Sequence, residues 1–298
     1  MLVGKWPTKP NEGNYVQMQG QLVVVATPLG NLGDISRRAL ELLEKADVVY
    51  CEDTRHSSTL FSANNIPVNG RLKALHEHNE ASQCEEVIKR VSEGQVVVLI
   101  SDAGTPGISD PGARVVAAVA EAGLFVTTAP GPAAVIAALT ISGLPTERFI
   151  MEGFVPRKAG EREALYTQWA KEQRTVVFYE SPQRLVTTLS ELAVHYPERR
   201  VAVCREITKL HEEVIRGTLK EVHDRYSSRE VLGEIVVVLD GAEPAPVVDD
   251  ETAKKAIIEQ LSSGASLRDA VSYVSETLGV AHRVAYQLGL DVRAEQDS

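Results

Sequence analysis

The sequence predicts an α/β fold with two successive α/β domains, a parallel first sheet and a mixed second sheet, followed by a small helical unit. Short, continuous, β-branched runs alternate with stretches of helical periodicity. Loops rich in Gly and Pro follow several of these runs. A Pro-rich acidic segment, GAEPAPVVDD, separates the last apolar run from three short helical patterns.

The first half of the chain contains four apolar runs typical of strands that are buried on both faces. These runs are LVVVA, DVVYC, QVVVLIS and LFVTTA. Helical spacing follows in ISRRALELLEKA, for which Asp34 is the predicted N-cap, in NEASQCEEVIKRVSEG and in ARVVAAVAEAG. Strands that alternate with helices are typical of a parallel sheet covered on both faces.

A second α/β series begins with PGPAA at residue 130. Helical segments alternate with the apolar runs RFIMEGF, TVVFYE and EIVVVLD, and Ser181 and Pro182 suit the N-cap and first turn of one helix. RVAVCREIT and HEEVIRGT alternate polar and apolar residues across a short connection. They predict an antiparallel hairpin, and hence a mixed second sheet.

These patterns divide the chain into five segments. They are a flexible N-terminal extension (1–20), two α/β domains (21–129 and 130–241), a linker (242–250) and a helix-turn-helix-like unit (251–290). Ser266 is the predicted N-cap of the middle helix of that unit. The unit is expected either to cap the main body or to contact nucleic acid.

The composition is that of a globular chain of 298 residues, with 44% hydrophobic and 24% charged residues. Its 41 acidic and 31 basic residues give a net charge of −10, which argues against binding nucleic acid by charge alone. Because no signal peptide or apolar membrane span is evident, we expect a cytoplasmic protein without a membrane partner. Three widely spaced cysteines and a single HEH sequence predict neither disulfide nor metal.

Three loops after predicted strands are rich in Gly and Pro: TPLGNLGD, DAGTPGISDPG and PGPAA. Ligands collect beyond the carboxyl ends of parallel strands, and glycine lets the backbone approach them closely. The phosphate-binding pattern GxxxxGK[ST] and the dinucleotide pattern GxGxxG are absent, which argues against a nucleotide-dependent oxidoreductase. The second loop carries Asp102 and Asp110 but no Lys or Arg, so it suits a ribose, an amine or a sulfonium.

Five segments, ATPLGNLGDISRRALELL, CEDTRHSSTL, SDAGTPGISDPG, APGPAAVIAALTISGLP and FYESPQR, closely resemble the tetrapyrrole methylase superfamily. Within it they are similar to the branch that methylates the ribose 2′-hydroxyl of a cytidine in 16S ribosomal RNA. The resemblance extends from about Leu22 to Asp240. It implies S-adenosylmethionine between two α/β domains, the small ribosomal subunit as substrate, and a homodimer.

The resemblance also implies which residues bind the cofactor. They are Pro28, Asp102, Ala103, Gly104, Ile108, Pro130, Gly131, Ala133, Ala134, Tyr179, Gly233 and Ile235. Core packing is the alternative for Ile108 and Ala133, and a role as a turn or cap residue is the alternative for Asp102. A small-molecule methylase of the same superfamily, or a non-catalytic ribosome-binding factor, remains the alternative function.

Methyl transfer to a hydroxyl requires in-line positioning and is helped by a proton acceptor. The candidate catalytic residues, at or near strand ends, are Glu52, Asp53, Arg55 and Glu180. For the first two, an ion pair with Arg55 or a helix cap is the alternative. The candidate RNA-binding residues are Arg157, Lys158, Arg162 and Arg184, and a solvated loop is the alternative for the first three.

Overall fold

The computed structural model describes residues 20–243 and 248–296. The chain divides after Asp240 into two compact units. The predicted N-terminal extension lies outside the described residues, apart from Gly20, and so do residues 244–247 of the predicted linker.

The first sheet has five strands in the order β3-β2-β4-β1-β5. Their bounds are β1 Gln21–Val25, β2 Val48–Cys51, β3 Leu72–Ala74, β4 Val96–Leu99 and β5 Phe125–Ala129. Every pairing is parallel, which confirms the prediction for this sheet. Because β1 pairs with both β4 and β5, the loops that follow these three strands leave the same edge of the sheet side by side.

Four helices cover the two faces of this sheet: α1 Arg37–Lys45, α2 Thr54–Ala63, α3 Glu80–Ser92 and α4 Ala113–Glu121. Leu43 and Phe61 pack on one face, and Val87 and Val119 pack on the other. Burial on both faces explains why the strands are continuously apolar. The prediction of Asp34 as an N-cap was wrong: it ends a short 3-10 turn, and the Ser36 hydroxyl caps α1 by accepting from the backbone of Ala39 (3.1 Å).

The second sheet has the order β6-β7-β10-β8-β9. Its elements are β6 Phe149–Phe154, β7 Thr175–Glu180, β8 Arg200–Arg205, β9 Glu213–Thr218 and β10 Ile235–Leu239, with α5 Ala134–Ser142, α6 Ala159–Trp169, α7 Pro182–His195 and α8 Leu219–Ser227. β6 and β7 are parallel and the other pairs are antiparallel, so the mixed sheet and the β8–β9 hairpin are confirmed. Tyr166, Leu189 and Val222 pack on one face, and Leu139 of α5 packs on the other.

The second unit contains α9 Asp250–Ser262, α10 Leu267–Leu278 and α11 His282–Gln296. Its core includes Ile257, Val271 and Leu288, one from each helix. Ser266 is the N-cap of α10, as predicted, and its hydroxyl accepts from the backbone of Asp269 at 3.2 Å. Among the helices of the described residues, none has the length and apolar character needed to cross a membrane.

Candidate active site

A cavity of about 350 Å³ lies at the carboxyl edge of the first sheet. This volume is within the range of roughly 300–1,000 Å³ that is usual for small-molecule sites. The lining residues come from loops around both sheets, from the ends of strands of the second sheet and from the start of α5. They include Leu29, Asp102, Ala103, Gly104, Thr105, Ile108, Ser109, Asp110, Ala133, Ala134, Phe154, Tyr179, Glu180, Ile207, Gly233, Glu234, Ile235 and Val236.

The three Gly- and Pro-rich loops meet in one wall of this cavity. Thr27 and Gly104 exchange two backbone hydrogen bonds, of 2.8 and 3.1 Å, which join the first loop to the second. The Thr105 hydroxyl donates to the carbonyl of Pro132 at 2.9 Å, which joins the second loop to the third. Gly104 has a φ of +83°, a conformation that glycine adopts without strain. The wall is therefore held by long-range contacts rather than by each turn alone.

A second wall comes from the segment before β10. Gly233 has a φ of +92°, and a Cβ there would overlap the carboxylate of Glu206. The Lys209 ammonium bonds to Glu206 at 2.8 Å and to Glu234 at 3.1 Å. The stem of Lys209 packs so closely on Gly30 that a side chain at position 30 would overlap it. These contacts tie the second wall to the first loop.

The cavity is acidic. Asp102, Asp110, Glu180 and Glu234 line it, and its lining among the described residues includes no Lys or Arg. Burial, followed by the nearby charge of Glu52, raises the pKa of Asp110 to about 6. Burial, more than the nearby charge of Asp110, raises the pKa of Tyr179 to about 12. Such a cavity favours a cationic ligand over an anionic one.

Nine of the twelve predicted cofactor residues line the cavity. They are Asp102, Ala103, Gly104, Ile108, Ala133, Ala134, Tyr179, Gly233 and Ile235. The other three, Pro28, Pro130 and Gly131, lie outside its lining. Gly131 instead lets the third loop approach the end of β1, since a Cβ there would be 3.1 Å from that of Ala26. Contact of the nine residues with a cofactor stays a prediction.

Glu180 lines the cavity, but its carboxylate is engaged within the protein. The residue is 2% exposed, and Oε1 accepts from the backbone of Ser181 at 2.7 Å. Its Oε2 accepts from the Thr188 hydroxyl at 2.7 Å and lies 3.4 Å from Arg184. These contacts indicate that Glu180 positions the start of α7 more directly than it acts on a ligand.

The other predicted catalytic residues, Glu52, Asp53 and Arg55, follow β2 beside the cavity. Asp53 caps α2 by accepting from the backbone of Arg55 at 2.8 Å, and their side chains form an ion pair of 3.1 Å. The hydrogen bond from Arg55 also lowers the pKa of Asp53. The Asp53 backbone donates to Asp102 Oδ1 at 3.1 Å, which connects this turn to the cavity wall. Partial burial, then the charge of Asp102, raises the pKa of Glu52.

The four predicted RNA-binding residues fall into two classes. Arg157 and Lys158 are exposed between β6 and α6, and the Lys158 ammonium forms a solvent-exposed ion pair with Glu161 at 2.9 Å. Arg162 instead makes two bonds to Glu191, of 2.8 and 2.9 Å, and a third to the carbonyl of Arg157. Arg184 donates to the carbonyl of Val155 at 2.8 Å. The second pair therefore shapes the loop that presents the first pair to solvent.

Glu80 was missed by the sequence analysis. It is buried, and its Oε1 accepts from the backbone of Gly112 (2.9 Å), Arg114 (2.8 Å) and Val115 (3.4 Å). It thus caps α4 from a position 32 residues earlier in the chain. Local sequence patterns contain no signal for such a distant cap.

The chain matches a known protein family over most of its length. The family model described as "Tetrapyrrole (Corrin/Porphyrin) Methylases" matches residues 21–223. The chain belongs to the tetrapyrrole methylase family. In the described part of this tetrapyrrole methylase, no group of three or more His, Cys, Asp or Glu residues is placed to hold a metal ion.

This tetrapyrrole methylase is similar over most of its length to proteins named as ribosomal RNA methyltransferases. It is 44% identical over 278 residues to "Ribosomal RNA small subunit methyltransferase I" of Mycobacterium tuberculosis (strain CDC 1551 / Oshkosh), covering 93% of this chain and 96% of that one. It is 39% identical over 279 residues to the protein of the same name from Synechocystis sp., covering 93% and 99%. A solved cobalt precorrin-4 methyltransferase is 19% identical with a TM-score of 0.55, covering 74% and 94%. That last similarity supports the fold alone.

Proposed function

We propose that this tetrapyrrole methylase uses S-adenosylmethionine to methylate 16S ribosomal RNA in the small subunit, and that the acceptor is the ribose 2′-hydroxyl of a cytidine. The observation that carries the proposal is the acidic cavity built by the three Gly- and Pro-rich loops. The relatives named as small-subunit ribosomal RNA methyltransferases support the RNA substrate.

The chemistry of the cavity fits the proposed cofactor. S-adenosylmethionine supplies a methyl group on a positively charged sulfur. Carboxylates and a largely apolar lining suit such a cation. A phosphate-binding site would instead need hydrogen-bond donors or positively charged side chains. Asp102, Ala133, Ala134, Tyr179 and Ile235 are the residues that we expect to hold it.

Transfer of a methyl group to an alcohol releases the hydroxyl proton, so a base near the acceptor oxygen helps the reaction. We assign this role to Asp110, which lines the cavity and has a pKa of about 6, so that its carboxylate is largely ionised at neutral pH. Glu52 is the second acidic group here with a raised pKa, and it stays an alternative acceptor. Glu180 acts as a positioning residue through its contacts with α7.

The pH dependence of methyl transfer tests the role of Asp110. A pKa of about 6 means that the base is protonated below that pH and ionised above it. The value of kcat/KM, which reports the ionisation of groups in the free enzyme, should therefore fall about tenfold per pH unit below 6 and level off above it. Asp110→Asn should slow transfer about 100-fold at pH 7.5 when the cofactor is saturating. A mutant with the wild-type rate and pH profile would exclude Asp110 as the base.

RNA binding should depend on the exposed cations of the β6–α6 loop. Each phosphate contact adds about 0.9 to the slope of log affinity against log salt. We expect the double variant Arg157→Ala/Lys158→Ala to bind assembled small subunits about tenfold more weakly at 100 mM salt, with a shallower slope. The control is Lys220→Ala/Arg225→Ala, which removes two exposed cations from α8. Equal binding by both variants would contradict this assignment.

Mass spectrometry of ribosomal RNA tests the proposed function directly. Deletion of the gene should remove one ribose methyl group from 16S RNA, and the wild-type gene should restore it. An unchanged methylation map would contradict the proposal, and methylation of a precorrin-type substrate would favour a small-molecule methylase.

We also propose that the enzyme works as a cytoplasmic homodimer. Support for the dimer comes from large apolar side chains that this chain leaves in solvent, among them Phe125 on the edge strand β5 and Ile136 on α5. The cytoplasm is the compartment that holds ribosomal subunits.

A further inference from the structure

Leu210 is 92% exposed at the tip of the loop that joins β8 to β9. A single exposed leucine is ordinary on a protein surface. This one is held on a rigid loop beside the cavity, and other exposed apolar side chains lie on neighbouring segments. A group of exposed apolar side chains beside a cavity indicates a surface that a binding partner covers.

The loop is held in one conformation by its own contacts. Glu206 and Thr208 both have positive φ, 53° and 67°, which is uncommon for residues other than glycine. The backbone of Thr208 donates to Glu212 Oε2 at 2.6 Å, and that of Lys209 donates to the Glu206 carbonyl at 3.0 Å. These contacts fix the backbone of the loop, so the side chain of Leu210 is exposed in the folded chain.

The same loop belongs to the cavity wall. Ile207 lines the cavity, and the Glu206 carboxylate accepts from the backbone of Glu234, another lining residue, at 2.9 Å. Lys209 packs on Gly30 of the first loop. Leu210 is thus fixed to the segments that bind the proposed cofactor.

Four more exposed apolar side chains lie on segments that line the cavity. Together with Leu210 they form what we call the apolar rim: Leu32, Ile108, Phe154, Leu210 and Leu232. Ile108 and Phe154 themselves line the cavity, and Leu232 precedes the lining residue Gly233. The rim residues therefore lie either in the lining of the cavity or on segments that contribute to it.

We propose that the apolar rim receives unstacked bases of the RNA substrate, and that Leu210 fills the gap left in the base stack when the target nucleotide enters the cavity. This inference rests on the proposed function. A nucleotide within folded RNA must leave its stack before its ribose reaches an enclosed site, and apolar side chains inserted at the vacated step stabilise the opened RNA. Unstacked bases in turn bind apolar and aromatic side chains.

RNA fits the rim better than a second copy of the chain does. A second copy seated on these five side chains would obstruct the approach of a large substrate to the cavity. The exposed cations Arg157 and Lys158 follow Phe154 closely in the chain and would hold phosphates next to the bound bases. Exposed apolar side chains and exposed cations are thus combined on segments that contribute to one cavity or directly follow such a segment in the chain.

The test compares Leu210→Ala with Val194→Ala, which truncates an 81% exposed side chain at the far end of α7. We expect Leu210→Ala to lower kcat/KM for assembled small subunits at least tenfold, with cofactor affinity within twofold of wild type. Leu210→Met should retain most of the activity, since it keeps a side chain of similar length. Chemical probing of the bound subunit should show enhanced reactivity next to the methylated nucleotide with the wild type and not with Leu210→Ala.

Three results would overturn the inference. In the first, Leu210→Ala matches Val194→Ala in both kinetics and probing. In the second, Leu210→Ala changes the molecular mass measured by sedimentation, which would make the rim an interface between copies. In the third, the wild type transfers no methyl group to small subunits, in which case the proposed function fails together with the inference. The first two results leave the proposed function intact.

Discussion

Asp102→Asn is expected to weaken S-adenosylmethionine binding about 30-fold, a loss of about 2 kcal/mol. Asp102 lines the cavity directly after β4, and its Oδ1 accepts from the backbone of Asp53 at 3.1 Å. Asparagine keeps an oxygen for that hydrogen bond and removes only the negative charge. The loss therefore measures the attraction between a fixed carboxylate and a cationic ligand in a partly desolvated cavity.

Isothermal titration calorimetry at pH 7.5 measures this effect. Asp224→Asn is the matched control, because it removes the same charge from an exposed site on α8. Its affinity should equal that of the wild type. If Asp102→Asn also binds the cofactor with wild-type affinity, Asp102 plays no part in the site.

The second large effect is expected on stability. Glu80→Ala should lower the free energy of unfolding of the larger unit by about 3 kcal/mol. The change leaves the backbone N–H groups of Gly112, Arg114 and Val115 without their buried acceptor. Because these groups begin α4, next to the loop of Asp102 and Asp110, cofactor affinity should fall as well.

Urea unfolding followed by circular dichroism tests this prediction. Glu85→Ala is the control, since Glu85 is an exposed glutamate on the same helix, α3. Glu80→Gln should be intermediate, because its amide oxygen still accepts hydrogen bonds but without charge. Equal losses for Glu80→Ala and Glu85→Ala would show that the carboxylate does not hold the start of α4.

The elements that differ from their predictions do so for local reasons. Asp34 and Ser36 are both good N-cap residues two positions apart, so only the hydrogen bond to Ala39 decides between them. The helix Thr54–Ala63 and the strand Leu72–Ala74 were not predicted. That strand has three residues, all at least partly exposed at the edge of the sheet, so it carries little apolar signal.

The candidate site, like the fold, could be predicted from the sequence only in part. The Gly and Pro content and the acidity of residues 102–112 are visible in the sequence and indicate a ribose, an amine or a sulfonium as the ligand. Whether a given charged residue is available to a ligand is not visible there. The guanidinium of Arg162 is paired with Glu191, 29 residues away, and its contact with RNA stays a prediction. Asp53 caps α2, which agrees with the alternative given for it, and its catalytic role also stays a prediction.

Periodicity and residue type over short stretches are enough to predict the two α/β series, the kinds of sheet and the chemical character of the three loops. The tertiary structure places β1 between β4 and β5, which brings the three loops to one edge. It also decided which carboxylates face the cavity and which are held by partners. Strand order and side-chain pairing depend on contacts between residues far apart in the chain, and local patterns do not encode them.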